Sequence, residues 1–175
     1  MKLGKSLRRF GMPPWVVSLI CVLKYRAKIS PRAEVELSAN LELGEGCVIG
    51  SFSKIKTSDG PLKLGRHVLI GSHCFISSDK GGVSIGDHSM IGPAASVIGN
   101  NYRYDRLDMP ISRQPQTSKG IVIGQGVWLG AGAVVLDGAQ IGDGVIVTPN
   151  SVVGGRVAPN TIVQGNPAKK IFMRR

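Results

Sequence analysis

A single aliphatic residue returns every sixth position through most of this chain, usually followed by glycine. The pairs are Leu43-Gly44, Ile49-Gly50, Leu64-Gly65, Ile70-Gly71, Ile85-Gly86, Ile91-Gly92, Ile123-Gly124, Leu129-Gly130 and Ile141-Gly142. Ile55, Ile76, Val97, Val135, Val147 and Val153 keep the phase without the glycine. A helix repeats at about 3.6 residues and a strand at about 2, so neither explains this period. A chain that turns a corner every six residues does, with one side chain per side directed at a shared axis. The period therefore specifies a parallel β-helix of hexapeptide repeats, an all-β prism of about five to six coils.

A second position repeats with the first. Four residues after each anchor stand Cys47, Ser53, Val68, Cys74, Ser89, Ala95, Val127, Ala133, Ala139, Val145, Ser151 and Val157, all small or β-branched. A narrow interior closes at native density only if each large residue is matched by a small one. A sandwich of alternating strands would instead show period 2 and hairpin dipeptides.

Three sides make a coil, so coils begin at Leu43, Leu64, Ile85, Ile123 and Ile141. Ile55 to Leu64 and Ile76 to Ile85 each carry a short insertion, and Val97 to Ile123 carries the long one, residues 100–119. All three leave the prism at one corner of successive coils. Loops on a rigid scaffold are where function concentrates. The expected organisation is a basic, apolar capping segment over residues 1–35, a β-helix over 36–163 with its loop, and a basic tail over 164–175.

The first segment carries Lys2, Lys5, Arg8 and Arg9, then Pro13-Pro14 and the apolar run Trp15 to Leu23. That run is too short to span a bilayer, and no small-residue cleavage site follows it. Two readings stay open: a short helix capping the prism, or a Trp-bearing segment resting on an anionic membrane. The net charge of +11 favours a polyanionic partner. No nucleic-acid motif accompanies it, so phosphate-bearing ligands or lipid are expected and nucleic acid is not. Cys21, Cys47 and Cys74 are odd in number, and two fall at small interior positions. They read as buried thiols of a protein that is cytoplasmic, free or peripheral to the inner membrane, not as a disulfide frame. His67, His73 and His88 each follow an anchor by three. His67 and His88 should stack on adjacent coils, with His73 a third of a turn away, so one subunit offers no metal site.

The long loop, Gly126-Val-Trp-Leu-Gly130 and the ending Gly165-Asn-Pro-Ala-Lys-Lys170 resemble the hexapeptide-repeat O-acetyltransferases. The likeness is strongest to those that modify surface-polysaccharide sugars and to the maltose, galactoside and nodulation acetyltransferases, and it covers about residues 40–172. The resemblance implies a left-handed coil and a homotrimer with clefts between subunits. It implies acetyl transfer from acetyl-coenzyme A to a saccharide or lipid-linked saccharide. A loop histidine takes the hydroxyl proton in that family, because imidazole has the pKa for the task. A backbone N–H donates to the developing oxyanion.

This chain departs there. Where the family has Asn-His, it has Asn101-Tyr102, followed by Arg103 and Tyr104, and no histidine follows residue 88. Tyr102, Asp79 at the preceding insertion corner, or His73 or His88 from this or a neighbouring subunit are the candidate bases. Arg103 and Arg106 are the cations near enough in sequence to lower a phenol's pKa. Transfer by proximity alone, and a sugar- or coenzyme A-binding scaffold without chemistry, are the alternatives. Carried over position by position, coenzyme A would lie along Ala131, Pro149 and Gly154, with Lys169, Lys170, Arg174 and Arg175 toward its phosphates. Pro149 has only a carbonyl to offer. Asn101, Arg103, Tyr104 and Trp128 would face the acceptor, with Trp128 beside the loop.

Overall fold

The computed structural model describes residues 13–57 and 59–174. Three parallel sheets form the faces of a triangular prism, of eight, six and six strands, the eighth being antiparallel. Ile29, Ile49, Ile70, Ile91, Leu129, Val147 and Val163 point inward from the first face, in register from rung to rung. Val35, Ile55, Ile76, Val97, Val135 and Val153 do so from the second face. Leu43, Leu64, Ile85, Ile123, Ile141 and Val157 do so from the third. All but Val157 are buried. Each such side chain removed from water stabilises the fold by about 1.5–3 kcal/mol before entropy is counted.

The small positions stitch one rung to the next. The Cys47 thiol donates to the Gly65 carbonyl at 3.0 Å, Ser53 to Gly71 at 2.7 Å, Cys74 to Gly92 at 3.2 Å and Ser89 to Gly124 at 2.9 Å. Ser53 also accepts from the Cys74 amide at 3.0 Å, and Ser89 from the Val127 amide at 3.1 Å. Buried hydroxyls are thus satisfied, and their desolvation is offset. The glycine after each anchor is required by close approach: a Cβ on Gly50 would lie 2.7 Å from the Gly71 carbonyl carbon on the next rung. All three cysteines are unpaired and buried, and burial pushes the Cys21 thiol up to about 11.

Corners need a left-handed residue. His67, His73 and His88 occupy such positions at φ of 55°, 59° and 58°, as do Phe52, Asn150 and Asn160. This conformation costs a non-glycine residue about 1–2 kcal/mol. Ring stacking, worth about 0.5–1.5 kcal/mol per pair, offsets a part of it: His67 lies on His88 at 5.1 Å, as the spacing predicts, and His73 on Phe52 at 5.0 Å.

Two boundaries differ from those expected. The first rung begins at Lys28, which pairs with Val48 while Glu34-Val35 pairs with Lys54-Ile55, so residues assigned to the leading segment belong to the prism. At the other end Val157 pairs with Ile141 as an anchor, not as the small position after Val153. Thr161, which is buried, takes the small position of that last turn. The tail is also structured: Lys169–Met173 returns antiparallel along Thr161–Gln164.

The helix Pro14–Tyr25 closes the first end. Pro14 at its first turn suits the fixed φ of proline, and Arg26 ends it in the left-handed region at φ 49°. Val17 and Cys21 join the prism core beneath it.

Candidate functional site

All variation in turn length falls at one corner, between the second and third faces. It holds the turns after Ile55 and Ile76 and the long loop after Val97. This loop corner builds the candidate site. Asn101–Tyr102 and Gln116–Thr117 pair as an antiparallel hairpin, with Tyr102 opposite Gln116. Between them Ile111–Arg113 forms a short 3₁₀ turn. Gln114 is the loop's one buried residue: its amide nitrogen donates to the Arg106 carbonyl at 2.7 Å, and its oxygen accepts from the Arg106 amide at 3.3 Å.

The base of the loop is tied to the rungs on both sides. The Ser118 hydroxyl donates to the Gly99 carbonyl at 2.7 Å and accepts from the Gly81 amide at 2.9 Å. The Asp137 carboxylate, one rung on, accepts from the Lys119 amide at 2.8 Å and the Gly120 amide at 3.0 Å. Asn100 donates to Asp79 at 3.3 Å. Sequence reasoning did not single out Gln114, Ser118 or Asp137. For Asp137 a signal existed, since it occupies the same corner as Asp79 on a later coil.

Asp79, Asn101, Tyr102, Arg103 and Tyr104 are therefore brought to one corner. Asp79, Lys80, Pro115, Gln116 and Ser118 line a cleft of about 320 Å³ there. A second cleft of about 250 Å³ lies at the edge of the third face, with Lys63 and Lys119 in its walls. Tyr102 and Tyr104 are both exposed. The guanidinium groups do not attend Tyr102. Arg103 forks onto Asp105 at 2.9 and 2.7 Å, and Arg106 onto Asp108, with one contact at 2.9 Å. Hydrogen bonds from Arg103 hold the Asp105 carboxyl below the usual carboxylate range, and Arg106 does the same to Asp108. The expectation that Arg103 and Arg106 act on the phenol is corrected accordingly: an acidic residue two positions on takes each charge.

The other candidates lie elsewhere on the prism. His88 sits at the corner between the third and first faces, and His73 at the corner between the first and second. Trp128 points outward from the first face, opposite the loop corner, in register with Met90 and Ile146. In one chain it does not stand beside the loop, which corrects that expectation. Ala131 and Pro149 share the His73 corner on successive rungs, where the Asn150 amide donates to the Ala131 carbonyl at 2.9 Å. Gly154 lies at the loop corner instead, so the three do not form one line. Lys169 and Lys170 are exposed on the last strand, whereas Arg174 donates to the Gly144 carbonyl at 2.8 Å and Arg175 lies outside the described residues.

The outward side chains of the three faces differ in kind. The first face presents Val48, Leu69, Met90, Trp128, Ile146 and Ile162 as a continuous apolar ladder. The third presents Glu42, Lys63, Ser84, Val122, Gln140 and Arg156. The two histidine corners border the apolar face on either edge. Among the described residues no group of His, Cys, Asp and Glu could hold a metal ion.

Prism and repeat together define a parallel β-helix of hexapeptide repeats. The bacterial transferase hexapeptide family (six repeats) matches residues 120–155, and the hexapeptide repeat of succinyl-transferase matches residues 61–98. Among curated relatives, WbbJ of Escherichia coli K12, named for lipopolysaccharide biosynthesis O-acetyl transfer, is 47% identical over 64 residues. That match covers 37% of this chain and 33% of the relative. A chloramphenicol acetyltransferase of Klebsiella aerogenes is 46% identical over 59 residues, 34% of this chain and 28% of the relative. The matches thus span a third or less of these relatives' length. Among solved structures, a variant of AntD, an N-acyltransferase from Bacillus cereus in complex with dTDP and coenzyme A, superposes with a TM-score of 0.77 at 19% identity. It covers 86% of this chain and 82% of AntD. The Vibrio cholerae hexapeptide-repeat acetyltransferase VCA0836, complexed with acetyl-coenzyme A, gives 0.60 at 21% identity, covering 97% and 82%.

Proposed function

We propose that the protein is an acetyl-coenzyme A-dependent O-acetyltransferase acting on a saccharide, free or lipid-linked, in bacterial surface-polysaccharide synthesis. The observation that carries the reading is the placement of a polar loop at the single variable corner of a left-handed β-helix whose sequence relatives are named as acetyltransferases. The reading includes a homotrimer, because an apolar face flanked by histidines lies opposite the loop corner. One chain would supply Asp79, Asn101, Tyr102 and Tyr104, and the next would supply Trp128 with His73 or His88.

In this reading the acceptor hydroxyl oxygen attacks the thioester carbonyl, and Asp79, Tyr102 or a neighbour's imidazole takes its proton. A backbone N–H donates a hydrogen bond to the oxyanion. Collapse breaks the carbon–sulfur bond, and the thiolate leaves and is reprotonated. Ala131 and Pro149, exposed at a neighbouring corner, would border the pantetheine arm. Lys169 and Lys170 would meet the phosphates as point charges. A cleft of about 320 Å³ is small for the whole coenzyme, which favours a site completed by a second chain.

Thiol release from acetyl-coenzyme A over a sugar panel tests the reading. Tyr102→Phe and Asp79→Ala should each lower kcat by about 100-fold while calorimetric coenzyme binding is unchanged. Turnover intact in both variants would overturn the residue assignment. A second reading, a sugar- or coenzyme A-binding scaffold, draws on one observation: the loop lacks histidine, and both its first two arginines are pinned by aspartates. It requires coenzyme binding with no transfer, and Tyr102→His would then create activity. Cytoplasmic residence and a peripheral contact with anionic membrane belong to the same proposal.

A further inference from the structure

The N-terminal helix is apolar on two opposite sides, and only one of them is covered. Val17 and Cys21 are buried against the first rung, with Tyr25 packed beside them. Trp15, Leu19, Val22 and Leu23 fall at i, i+4, i+7 and i+8, one stripe of a helix, and face away. Their exposures are 63%, 51%, 47% and 76%. An outward apolar stripe at one end of a prism needs an explanation that core packing does not supply.

Cations surround this stripe. Lys24 lies over the Tyr25 ring at 4.8 Å, Lys28 is exposed on the first strand, and Arg32 is exposed on the next turn, 5.8 Å from the Phe52 ring. Arg26 is paired with Glu45 at 3.0 Å and adds little. The sequence before the helix adds Lys2, Lys5, Arg8 and Arg9, interleaved with Leu3, Leu7 and Phe10, and no acidic residue occurs before Glu34. Nor is the helix built to cross a bilayer: among the described residues no helix is long and apolar enough to do so.

We infer that this end of the prism docks on an anionic lipid surface, with Trp15, Leu19, Val22 and Leu23 entering the headgroup–acyl boundary and the flanking lysines and arginines meeting lipid phosphates. Apolar insertion and basic attraction are each weak, and together they give stable, reversible binding. The inference rests on the proposed membrane contact for its partner and gives that contact a face. It does not depend on transfer chemistry. The prism axis would then stand away from the bilayer. The loop leaves the rung of Val97, three rungs beyond that of Val35, so its root lies about 14 Å above the docked rung at about 4.8 Å per strand spacing.

Flotation of the full chain with phosphatidylcholine vesicles, with and without about one third phosphatidylglycerol, tests it. The wild type should float with anionic vesicles only, and less as salt is raised. Leu19→Glu with Leu23→Glu should cut the bound fraction about tenfold or more without changing the melting temperature, circular dichroism or coenzyme A binding. Brominated lipid should quench Trp15 fluorescence and leave Trp128 untouched, read in single-tryptophan variants. Wild type that stays with the soluble fraction overturns the inference, as does undiminished flotation of the double variant. A change of oligomeric mass in the double variant, with no vesicle binding by the wild type, would assign the stripe to a second copy instead. Loss of transferase activity in all proteins would count against the enzyme reading alone.

Discussion

The prism and its loop are stabilised by opposite means. In the prism almost every residue answers to another about one coil away: an anchor to the anchor above it, a serine or cysteine to a glycine carbonyl on the next rung. In the loop residues answer to near neighbours: Arg103 to Asp105, Arg106 to Asp108, Gln114 to Arg106. The loop touches the rungs through Ser118, Asp137 and Asn100 at its root. The difference teaches that the candidate site has its own small framework. Away from the root the loop's side-chain bonds stay within the loop, so loop and coil are expected to respond separately to substitution.

Ile76→Ala breaks the comparison hardest if the coil is the rigid partner. Ile76 is 0% exposed between two rungs, and truncation should cost about 2–5 kcal/mol. Differential scanning calorimetry should show a fall of about 5–15 °C. Gln114→Ala acts on the other side. It leaves the carbonyl of Arg106 without its partner, a local loss of about 1–3 kcal/mol. Limited proteolysis should then cut within residues 103–113 several times faster, while the calorimetric melting temperature moves by no more than about 2 °C. If global melting falls as far as in Ile76→Ala, loop and prism form one cooperative unit.

The smallest effect concerns a corner of the coil. Asp87 accepts from the Arg66 amide at 2.8 Å and from its guanidinium at 3.0 and 2.9 Å, and these bonds hold its carboxyl below the usual range. A carboxyl depressed on folding contributes stability that is full above its unfolded pKa of about 3.9. That contribution is lost as pH falls through the lower folded value. Asp87→Asn should lower the neutral-pH melting temperature by about a degree, because the pair is exposed. It should also flatten the decline of melting temperature below about pH 4. An unchanged acid profile would remove Asp87 from the corner's electrostatics.

Most of the coil is legible in the sequence because its spacing is local. The six-residue phase places Ile49, Ile70 and Ile91 on one face without any knowledge of partners, and the His67–His88 stack follows from the same count. Legibility fails where the count slips. Val35 stands eight residues before Leu43, and Val157 only four after Val153, so neither keeps the phase, yet each is in register with its rung. It fails again where competition decides. Nothing in the spacing says that Asp105 and Asp108 outbid Tyr102 for the arginines; two-residue reach and a forked geometry do. Trp128 follows the loop closely in sequence yet stands on the opposite face of its own chain, because successive anchors lie on different faces. Gln114 was missed because a buried amide in a polar loop looks like any other glutamine until its partners are known.

The one variable corner has a further meaning. The spacing from first-face anchor to second-face anchor is six on every rung, and so is the spacing from third to first. Extra length enters only between second and third, so that edge works as a column of sockets. Each socket accepts an excursion without altering the register of the shelves above or below. An excursion transplanted from one socket to the next would be displaced by one strand spacing, about 4.8 Å. Reach is therefore quantised here, set by which shelf carries the excursion and not by how flexible it is.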